Sequence, residues 1–356
     1  MPFSLKPLSG SSPLSLPMKL GLFFLVWLVF ISWLHYQLNN RPVNENVVRM
    51  GYMPVVTNLA APLLDYVSRH GTGAHFEAVK FSSFAEMAEA LRNDSIQAAF
   101  IIAPLAVVLR QQGVDVKVVL IGSRHESTLV ARKALKARRL EDLSGRTIAV
   151  PMRYSGHNLC LLKMIEEKGL DGKIRVVEMN PPDMASALTS GALDAYFVGE
   201  PFAAQTVLSG DADVVDYVES LWPGFICNLV LMKNSWIEAN PSVVQKLVEM
   251  AARSGLWAGR HPNEASRIAS GYWNQSVELV RYALTTPSGR VVYDRFIPKT
   301  SEIQTMADLM VRYHLARQAD ITGLVDDRFA LAASIDGIDE LDSICPESDQ
   351  NHRKRK

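Results

Sequence analysis

Part of this chain occurs twice, with a shift of 97 residues between the copies. Nine residues of segment 87–113 recur, without a gap, in segment 184–210. Alanine is common, but the joint spacing of Met, Leu, Phe, Pro and Gly argues against coincidence. Two copies of one unit predict two similar lobes and argue against a solenoid. The first copy contributes Met87, Ala88, Ala90, Leu91, Ala98, Phe100, Pro104, Ala106 and Gly113, which recur as Met184, Ala185, Ala187, Leu188, Ala195, Phe197, Pro201, Ala203 and Gly210.

Short β-rich runs alternate with amphipathic helices along the copied unit and before it. The predicted strands include Val47–Met53, His75–Phe81 and Ala98–Ile102. A capping box, Ser83-Phe84-Ala85-Glu86, marks the start of a helix between the last two of these strands. Strands that alternate with helices predict a mostly parallel sheet covered on both faces. We therefore expect an α/β fold.

Two lobes of one chain must be joined by crossovers, and two β-rich stretches, Val116–Lys133 and Gly224–Lys233, are candidates. Lobe two is then expected to span residues 144–223, inserted between the two parts of lobe one, residues 44–143 and 224–334. Residues 335–356 are acidic and polar and end in four basic residues, so we expect a disordered tail there.

The start of the chain differs from the rest. Segment 20–40 contains no Asp, Glu, Lys or Arg, and about 20 apolar residues are enough to cross a bilayer. A cleaved signal peptide is the alternative, but it needs small residues at its cleavage site, and the first alanine of the chain is Ala60. A buried core helix is a third interpretation. We expect an uncleaved transmembrane anchor, with Lys6 and Lys19 favouring a cytoplasmic N-terminus; residues 1–19 would precede it, and Met18 is an alternative start.

Composition excludes several classes of function. The chain has 37 basic and 37 acidic residues and no basic stripe, so no nucleic-acid partner is expected. Three scattered cysteines argue against a disulfide scaffold, an iron–sulfur cluster or a paired-cysteine zinc site. The P-loop, the G-x-S-x-G elbow and the H-E-x-x-H motif are absent from the sequence. We expect neither a metal nor a cofactor, and no catalytic residue.

Candidate ligand contacts follow from the rule that ligands of open parallel sheets bind beyond the carboxyl ends of the strands. Segment 153–158 is the richest, because it offers a cation, hydroxyls, a flexible glycine and an imidazole at a helix start, which suits a small oxyanion. Alternatively, Ser155 caps the helix, His157 is solvated and Glu200 stabilises a helix dipole. The candidates are Tyr52, Thr57, Asn58, Ser82, Ser83 and Pro104 in the first lobe and Arg153, Ser155, His157, Asn158 and Glu200 in the second.

Two other groups of residues have less specific interpretations. Segment 124–126 (Arg-His-Glu) lies in a predicted crossover and could border a cleft, although a solvated hinge surface is favoured. Trp257, Tyr272, Trp273 and Tyr282 have helical spacings that favour the core over a stacking platform.

With these residues named, the chain resembles the periplasmic solute-binding proteins of ABC importers, in the nitrate/sulfonate/taurine group. The most specific match is Asn180–Gln205, with its P-P-x-M … G-x-x-D-A-Y … G-E-P run. Arg49–Leu64 is similar to the family's opening strand and ligand loop, and Ala98–Ala106 to its third strand. Pro151–Leu162 is similar to the segment that carries a ligand-contacting histidine, which implies that role for His157.

The resemblance implies a two-lobed type II periplasmic-binding fold that closes around one small molecule. It implies a solute-binding protein of an ABC import system, with a permease and an ATPase on other chains as partners and a small, anionic ligand. With the anchor, the body is expected in the periplasm, tethered to the inner membrane. Two alternatives stay open: an enzyme on the same fold, like thiamine-pyrimidine synthases or menaquinone-pathway dehydratases, and a membrane-tethered ligand sensor.

Overall fold

The structure is a computed structural model, and it describes residues 15–39, 47–69 and 74–345. The chain divides into two compact units, residues 1–45 and 46–356. The first unit contains helix α1 (Leu16–Asn39). Its segment Leu16–Tyr36 is long and apolar enough to cross a membrane, a test that a signal sequence also passes. The helix therefore begins four residues before the predicted anchor, 20–40, and residue 40 lies outside the described residues.

The first lobe of the second unit is built on a five-stranded sheet with the strand order β2-β1-β3-β10-β4. Strand β1 is parallel to β2 and β3, whereas β10 runs antiparallel to β3 and β4. The strands are β1 (Val47–Tyr52), β2 (His75–Lys80), β3 (Ala98–Ile102), β4 (Val116–Ile121) and β10 (Asn228–Lys233).

The second lobe repeats this plan, with the strand order β7-β6-β8-β5-β9. Here β6 is parallel to β7 and β8, and β5 runs antiparallel to β8 and β9. The strands are β5 (Ser127–Arg132), β6 (Thr147–Val150), β7 (Arg175–Glu178), β8 (Ala195–Gly199) and β9 (Ala212–Tyr217).

Helices pack against both sheets. The helices of the first lobe's opening half are α2 (Ala60–Ser68), α3 (Phe84–Arg92) and α4 (Ala103–Gln111). Those of the second lobe are α5 (Gly156–Glu167), α6 (Pro181–Thr189), α7 (Phe202–Leu208) and α8 (Val218–Leu221). The C-terminal helices are α9 (Asn234–Ala239), α10 (Pro241–Arg260), α11 (Pro262–Trp273), α12 (Val277–Thr285), α13 (Thr300–Arg312) and α14 (Arg328–Leu331).

The sequence repeat is confirmed as a structural repeat. Helices α3 and α6 begin 97 residues apart, at Phe84 and Pro181, and strands β3 and β8 begin 97 residues apart, at Ala98 and Ala195. The two sheets have the same order, with one antiparallel strand in the fourth position. That strand, β10 or β5, is in each case the first strand after the chain crosses from the other lobe.

The predicted boundary between lobes one and two, at residues 143 and 144, is wrong. Strand β5 pairs with β8 on one side and β9 on the other, so residues 127–132 belong to the second sheet. Helical and loop periodicity could not show this, because a buried strand after a crossover has the same composition in either lobe. The chain therefore crosses in segment 122–126. It returns between α8 and β10.

The predicted disorder from residue 335 is also wrong for residues 335–345. Ile338, Ile344 and Cys345 are buried in the core of the first lobe. The buried guanidinium of Arg253 donates hydrogen bonds to main-chain carbonyls of segment 334–343. The acidic average composition of this segment gave no sign that three apolar residues in it pack into the core. Residues 346–356 lie outside the described residues.

Candidate ligand-binding cleft

Two cavities lie between the lobes, and each is lined by residues of both. The first, which we call the α3–α6 chamber, has a volume of about 280 Å³. The second, which we call the Trp273 chamber, has a volume of about 400 Å³. The α3–α6 chamber is lined by Ser83, Phe84, Ala85, Pro151, Met152, Glu178, Met179 and Asn180. The Trp273 chamber is lined by Pro54, Lys80, Phe81, Ser82, Glu86, Pro182, Phe202, Trp273, Asn274 and Gln275.

The N-termini of helices α3 and α6 border the α3–α6 chamber from opposite lobes. Their N-cap residues, Ser83 and Asn180, are 97 residues apart and thus equivalent in the repeat. The Ser83 hydroxyl accepts a hydrogen bond from the Ala85 N–H at 3.2 Å, whereas Asn180 makes no side-chain cap bond. Helix N-termini carry partial positive charge, so two of them at one chamber favour an anion. Helix α6 contributes its dipole rather than N–H donors, because it begins with Pro181 and Pro182, which have no backbone N–H.

One ion pair stands at the border of the same chamber. The Glu178 carboxylate lies 3.2 Å from the Arg153 guanidinium and accepts a hydrogen bond from the Arg153 N–H at 2.8 Å. Both side chains are exposed. Arg153 therefore stands close to the chamber without lining it, because its guanidinium is engaged by a carboxylate that does.

Four of the candidates in the first lobe are buried, and none of them lines either chamber. The Tyr52 hydroxyl donates a hydrogen bond to the carbonyl of Tyr272 at 3.3 Å within the lobe's core. Asn58 donates to a main-chain carbonyl at 3.1 Å and accepts from the Asn228 amide at 2.7 Å. Thr57 and Pro104 are likewise buried, so Ser82 and Ser83 are the first-lobe candidates that line the two chambers.

In the second lobe, segment 153–158 forms the start of helix α5, and its residues Ser155, His157 and Asn158 are buried. Ser155 caps α5 by accepting a hydrogen bond from the Asn158 N–H at 3.1 Å, as the capping alternative predicts. The Asn158 amide donates to the Arg153 carbonyl at 2.8 Å. Both side chains therefore stabilise the turn, and neither lines a chamber.

His157 is buried, so the prediction of a solvated first-turn residue is wrong. Its ring lies edge-on to Phe197 and Phe225, and its Nε2 is 2.9 Å from the Ser127 hydroxyl. Burial lowers the pKa of His157 to about 3, so the imidazole is neutral. It lines neither chamber, and the expectation of a direct ligand contact has no support in this geometry.

Glu200, at the corner after β8, is buried and holds several groups together. Its carboxylate accepts hydrogen bonds from the Thr128 hydroxyl at 2.6 Å and the Ala204 N–H at 2.8 Å. The Arg290 guanidinium lies 3.6 Å away. The Glu200 carbonyl accepts from the N–H of Val56 at 2.8 Å, which joins this corner to the first lobe. The residue is thus an interlobe contact rather than a chamber-lining group.

Glu126 is a second buried carboxyl group beside Glu200, whereas the sequence favoured a solvated hinge surface for it. Its carboxyl oxygens accept from the Glu200 N–H at 2.9 Å and lie 3.2 Å from the Ser127 hydroxyl. Among the described residues no basic group lies within 4.0 Å of it. Burial, followed by the neighbouring Glu200 carboxylate, raises the pKa of Glu126 to about 8, so it is protonated at neutral pH. A protonated Glu126 can donate to Ser127, whose hydroxyl can then donate to His157 Nε2.

Arg124 and Glu126 of the outgoing crossover are buried, so the prediction of a solvated hinge surface for segment 124–126 is wrong. The Arg124 guanidinium, 2% exposed, pairs with both carboxylate oxygens of Glu302 at 2.8 and 2.9 Å. It also donates to the carbonyls of Gly224 and Arg295 at 2.8 and 2.9 Å. Main-chain bridges from Arg124 to Ile226 and Val292 align the same three segments. The outgoing crossover, the returning crossover and the segment before α13 are therefore tied together at one point.

Comparison with known proteins decides the family. The sequence pattern of the NMT1-like family matches residues 41–270. The chain belongs to the NMT1-like family. The resemblance to solute-binding proteins and the predicted two-lobed α/β fold are thereby confirmed.

Individual proteins similar to this NMT1-like chain include the taurine-binding periplasmic protein of Escherichia coli K12, which is 28% identical over 212 residues. That match covers 56% of this chain and 64% of the E. coli protein, which is under two thirds of its length. A ligand-binding component of an ABC-type import system from Staphylococcus aureus, solved with zinc bound, has a TM-score of 0.73 at 21% identity and covers 82% of this chain and 100% of its own. The alkanesulfonate-binding protein of Xanthomonas axonopodis pv. citri, bound to MOPS, has a TM-score of 0.67 at 20% identity and covers 79% and 98%. At these identities the two structures show a shared fold.

Proposed function

We propose that this NMT1-like protein is the solute-binding component of an ABC import system, and that it captures a small anion between its lobes. The observation that carries this proposal is the α3–α6 chamber, where equivalent helix N-termini from the two lobes meet. Charge on a bound anion is stabilised by both dipole ends without any covalent chemistry. The names of the similar proteins support binding of taurine or a sulfonate rather than turnover.

The partners of such a protein would be a permease and an ATPase on other chains, which take up the cargo after the lobes close. Helix α1 has the length and composition to hold the body at the membrane. We infer an uncleaved anchor with the body outside the cytoplasmic membrane, because the apolar segment is followed by no A-x-A-like cleavage site. Sequencing the N-terminus of the mature protein tests the anchor, and loss of α1 from it would contradict it.

Binding is tested by a thermal-shift screen of the full chain in detergent with nitrate, bicarbonate, taurine and simple alkanesulfonates. A ligand at about 100 times its dissociation constant adds roughly 2.7 kcal/mol to the free energy of unfolding. Ser83→Ala removes a cap at the chamber, so we expect it to weaken binding of the identified anion about tenfold. Ser276→Ala is the matched control, because Ser276 caps α12 in the same way, through the Leu279 N–H at 3.2 Å.

Both serine variants are expected to lose a similar amount of stability, about 1 kcal/mol, which separates a folding effect from a binding effect. Equal anion affinities in the two variants would contradict the position of the site. Consumption of any compound in the screen would favour the enzyme on the same fold instead.

A further inference from the structure

We propose that the edge of the second sheet opposite the chambers binds the anionic headgroups of a phospholipid bilayer. We call it the basic edge, and it consists of segments 132–146, 168–175, 190–194 and 209–213. The inference rests on the anchor in the proposed function, because helix α1 is the element that would bring the chain to a membrane. It goes beyond that function, since it assigns a second membrane contact to the second lobe, whereas the anchor precedes the first.

Strand direction brings the four segments of the basic edge together. Strands β6, β7 and β8 are parallel, and β5 runs antiparallel to β8 and β9. The end of β5 and the starts of the other four strands therefore lie at one edge of the sheet. The chambers are lined instead by residues that follow the opposite ends of β7 and β8, such as Asn180 and Phe202. The basic edge is thus separated from the proposed cargo site by the length of the strands.

The basic edge carries an excess of positive charge. It holds nine basic and six acidic residues, although the whole chain has 37 of each. Segment 132–139 alone contains five basic residues and no acidic one. The other basic residues are at position 146 and in segment 168–175, which is far away in the sequence and close only in the sheet. Because the chain as a whole is neutral, the excess is a property of this edge.

Ion pairs within the basic edge leave four of its cations unpaired. The paired cations are Arg132 and Arg146 with Asp194, Arg138 with Asp213, Arg139 with Asp142, and Lys168 with Glu141. The other four are exposed, and no carboxylate of the described residues lies within 4.0 Å of their charged groups: Lys133, Lys136, Lys173 and Arg175. Asp171 and Asp211 are the acidic residues of the edge that lack a basic partner at this distance. Unpaired cations therefore outnumber unpaired carboxylates two to one.

The corresponding edge of the first lobe pairs its cations near the strand ends. Arg49, in β1, lies 3.1 Å from the carboxylate of Glu77. Lys233, the last residue of β10, lies 2.8 Å from the carboxylate of Asp94. The two lobes share one strand order, so the fold itself does not require unpaired cations at this edge. We therefore look for their role in an interaction outside the lobe.

The chemistry of the unpaired cations fits a bilayer surface. Three of the four are lysines, whose ammonium groups are flexible point charges without the fixed fork of arginine. Such groups suit the many mobile phosphates of a leaflet, whose negative surface potential attracts clusters of basic residues. A tether to the same membrane raises the local concentration of lipid at the edge, so a weak attraction is enough. The anchor also favours lipid over nucleic acid, because it would place the body outside the cytoplasm.

The test measures how close the basic edge lies to the bilayer when the full chain is reconstituted into lipid nanodiscs. A donor fluorophore on Ser144→Cys, at an exposed position of the edge, reports energy transfer to an acceptor-labelled lipid. The three native cysteines are buried, so labelling is selective. Discs that contain phosphatidylglycerol should give at least twofold higher transfer efficiency than discs of phosphatidylcholine alone. The difference should disappear in 1 M salt, where the Debye length is about 3 Å.

A fourfold variant of the basic edge should lose the preference for anionic discs: Lys133→Gln, Lys136→Gln, Lys173→Gln and Arg175→Gln. A matched fourfold control removes the same charge from exposed cations of the C-terminal part of the chain that also have no carboxylate of the described residues within 4.0 Å: Arg267→Gln, Arg281→Gln, Lys299→Gln and Arg317→Gln. This control should behave as the wild type. Equal transfer in the two kinds of disc, or equal losses in the two variants, would overturn the inference. Affinity for the small anion, measured on the same samples, tests the proposed function separately and should be the same in all three proteins.

Discussion

The corners after the third strand of each lobe share one main-chain hydrogen bond but differ in their side chains. Ala103 in the first lobe and Glu200 in the second are 97 residues apart. The Ala103 N–H donates to the carbonyl of Cys227 at 3.0 Å, and the Glu200 N–H donates to the carbonyl of Glu126 at 3.0 Å. Cys227 and Glu126 each directly precede the antiparallel strand of their sheet, β10 or β5. One lobe therefore builds with alanine and cysteine what the other builds with two glutamates.

The two acids are not needed for this main-chain hydrogen bond, because the first lobe makes the equivalent bond without them. Burying two carboxyl groups side by side is unfavourable unless they are hydrogen-bonded or protonated. The contacts of Glu200 indicate what they do instead, since they connect β5, the segment before α13 and the first lobe. The corner of lobe one is a packing contact, whereas the corner of lobe two also contacts the first lobe and the segment before α13.

Substitution of Arg290 is expected to have the largest effect on the corner of lobe two. Its guanidinium, 2% exposed, donates to the Thr128 hydroxyl at 3.0 Å and the Ser127 carbonyl at 2.7 Å and pairs with Glu219 at 3.1 Å. Arg290→Met would leave Glu200 buried without its cation, so we expect a loss of about 3–5 kcal/mol in the free energy of unfolding. Denaturant titration of the full chain in detergent measures it.

The matched control for Arg290→Met is Arg312→Met, because Arg312 also forms an ion pair across elements of the fold, with Glu166, but at the surface. An exposed pair contributes little to stability because solvent screens it, so this variant should be close to the wild type. Adding Glu200→Gln to Arg290→Met should recover part of the loss. A loss at Arg290 as small as that at Arg312 would show that the acidic corner is no more than a packing contact.

The next largest effect is a dependence of stability on pH. It arises from Glu126 at the corner of lobe two and has no counterpart at the corner of lobe one. The pKa of Glu126 rises from 4.5 to about 8 on folding, so between these values the folded chain holds a proton that the unfolded chain has released. Its contribution to stability is therefore complete below about pH 4.5, is lost as the pH rises towards 8, and is gone above that value. The steepest slope is roughly 1.4 kcal/mol for each pH unit.

Glu126→Gln should remove this slope, and melting curves between pH 7 and pH 8 measure it. Below about pH 6.5 the buried His157 contributes a slope of the opposite sign, because its imidazole binds a proton in the unfolded chain but not in the folded one. Cys227 is the equivalent residue of lobe one, and burial raises the pKa of its thiol well above the ordinary value. The thiol stays neutral over this range, so a slope of the same sign should persist in Cys227→Ser. Because the Cys227 side chain hydrogen-bonds Glu126, this substitution can shift the pH at which the slope appears but not remove it. An unchanged slope in Glu126→Gln would show that Glu126 is already ionised at neutral pH.

The fold and half of one chamber were predictable from the sequence. The patterns that reveal them join residues that are neighbours in the sequence or equivalent positions of the repeat. The capping box at Ser83 and the 97-residue repeat are local patterns, so they located α3, α6 and the edge where their N-termini lie. Glu126 and Glu200 are 74 residues apart, and no periodicity connects them. Trp273 has the helical spacing of a core residue, and that prediction is correct for its burial but not for the cavity beside it.

His157 shows the same limit of sequence-based prediction. The family resemblance implied that it contacts the ligand, whereas the structure buries it away from both chambers. Two residues that enclose it are Ser127, the first residue of β5, and Phe225, in the returning crossover. Sequence patterns could not bring either of them next to α5. Pocket residues depend on which crossovers meet, whereas helices and strands depend on neighbours in the sequence. The misplaced boundary at residue 143 has the same origin, because β5 is recognised by its partners β8 and β9.

The smallest expected effect compares the lobes at their two helix N-caps. Ser83 makes a cap bond and Asn180 makes none, so Ser83→Ala should lower the free energy of unfolding by about 1 kcal/mol and Asn180→Ala by a few tenths at most. Both residues border the α3–α6 chamber, so both variants should weaken an anion bound there. Denaturant titration with and without the anion separates the two effects. We therefore expect the two variants to differ in stability but to lose similar affinity for the anion. If Ser83→Ala loses affinity while Asn180→Ala keeps it, the anion contacts the first lobe alone. The lobes would then not bind the anion as equivalent halves.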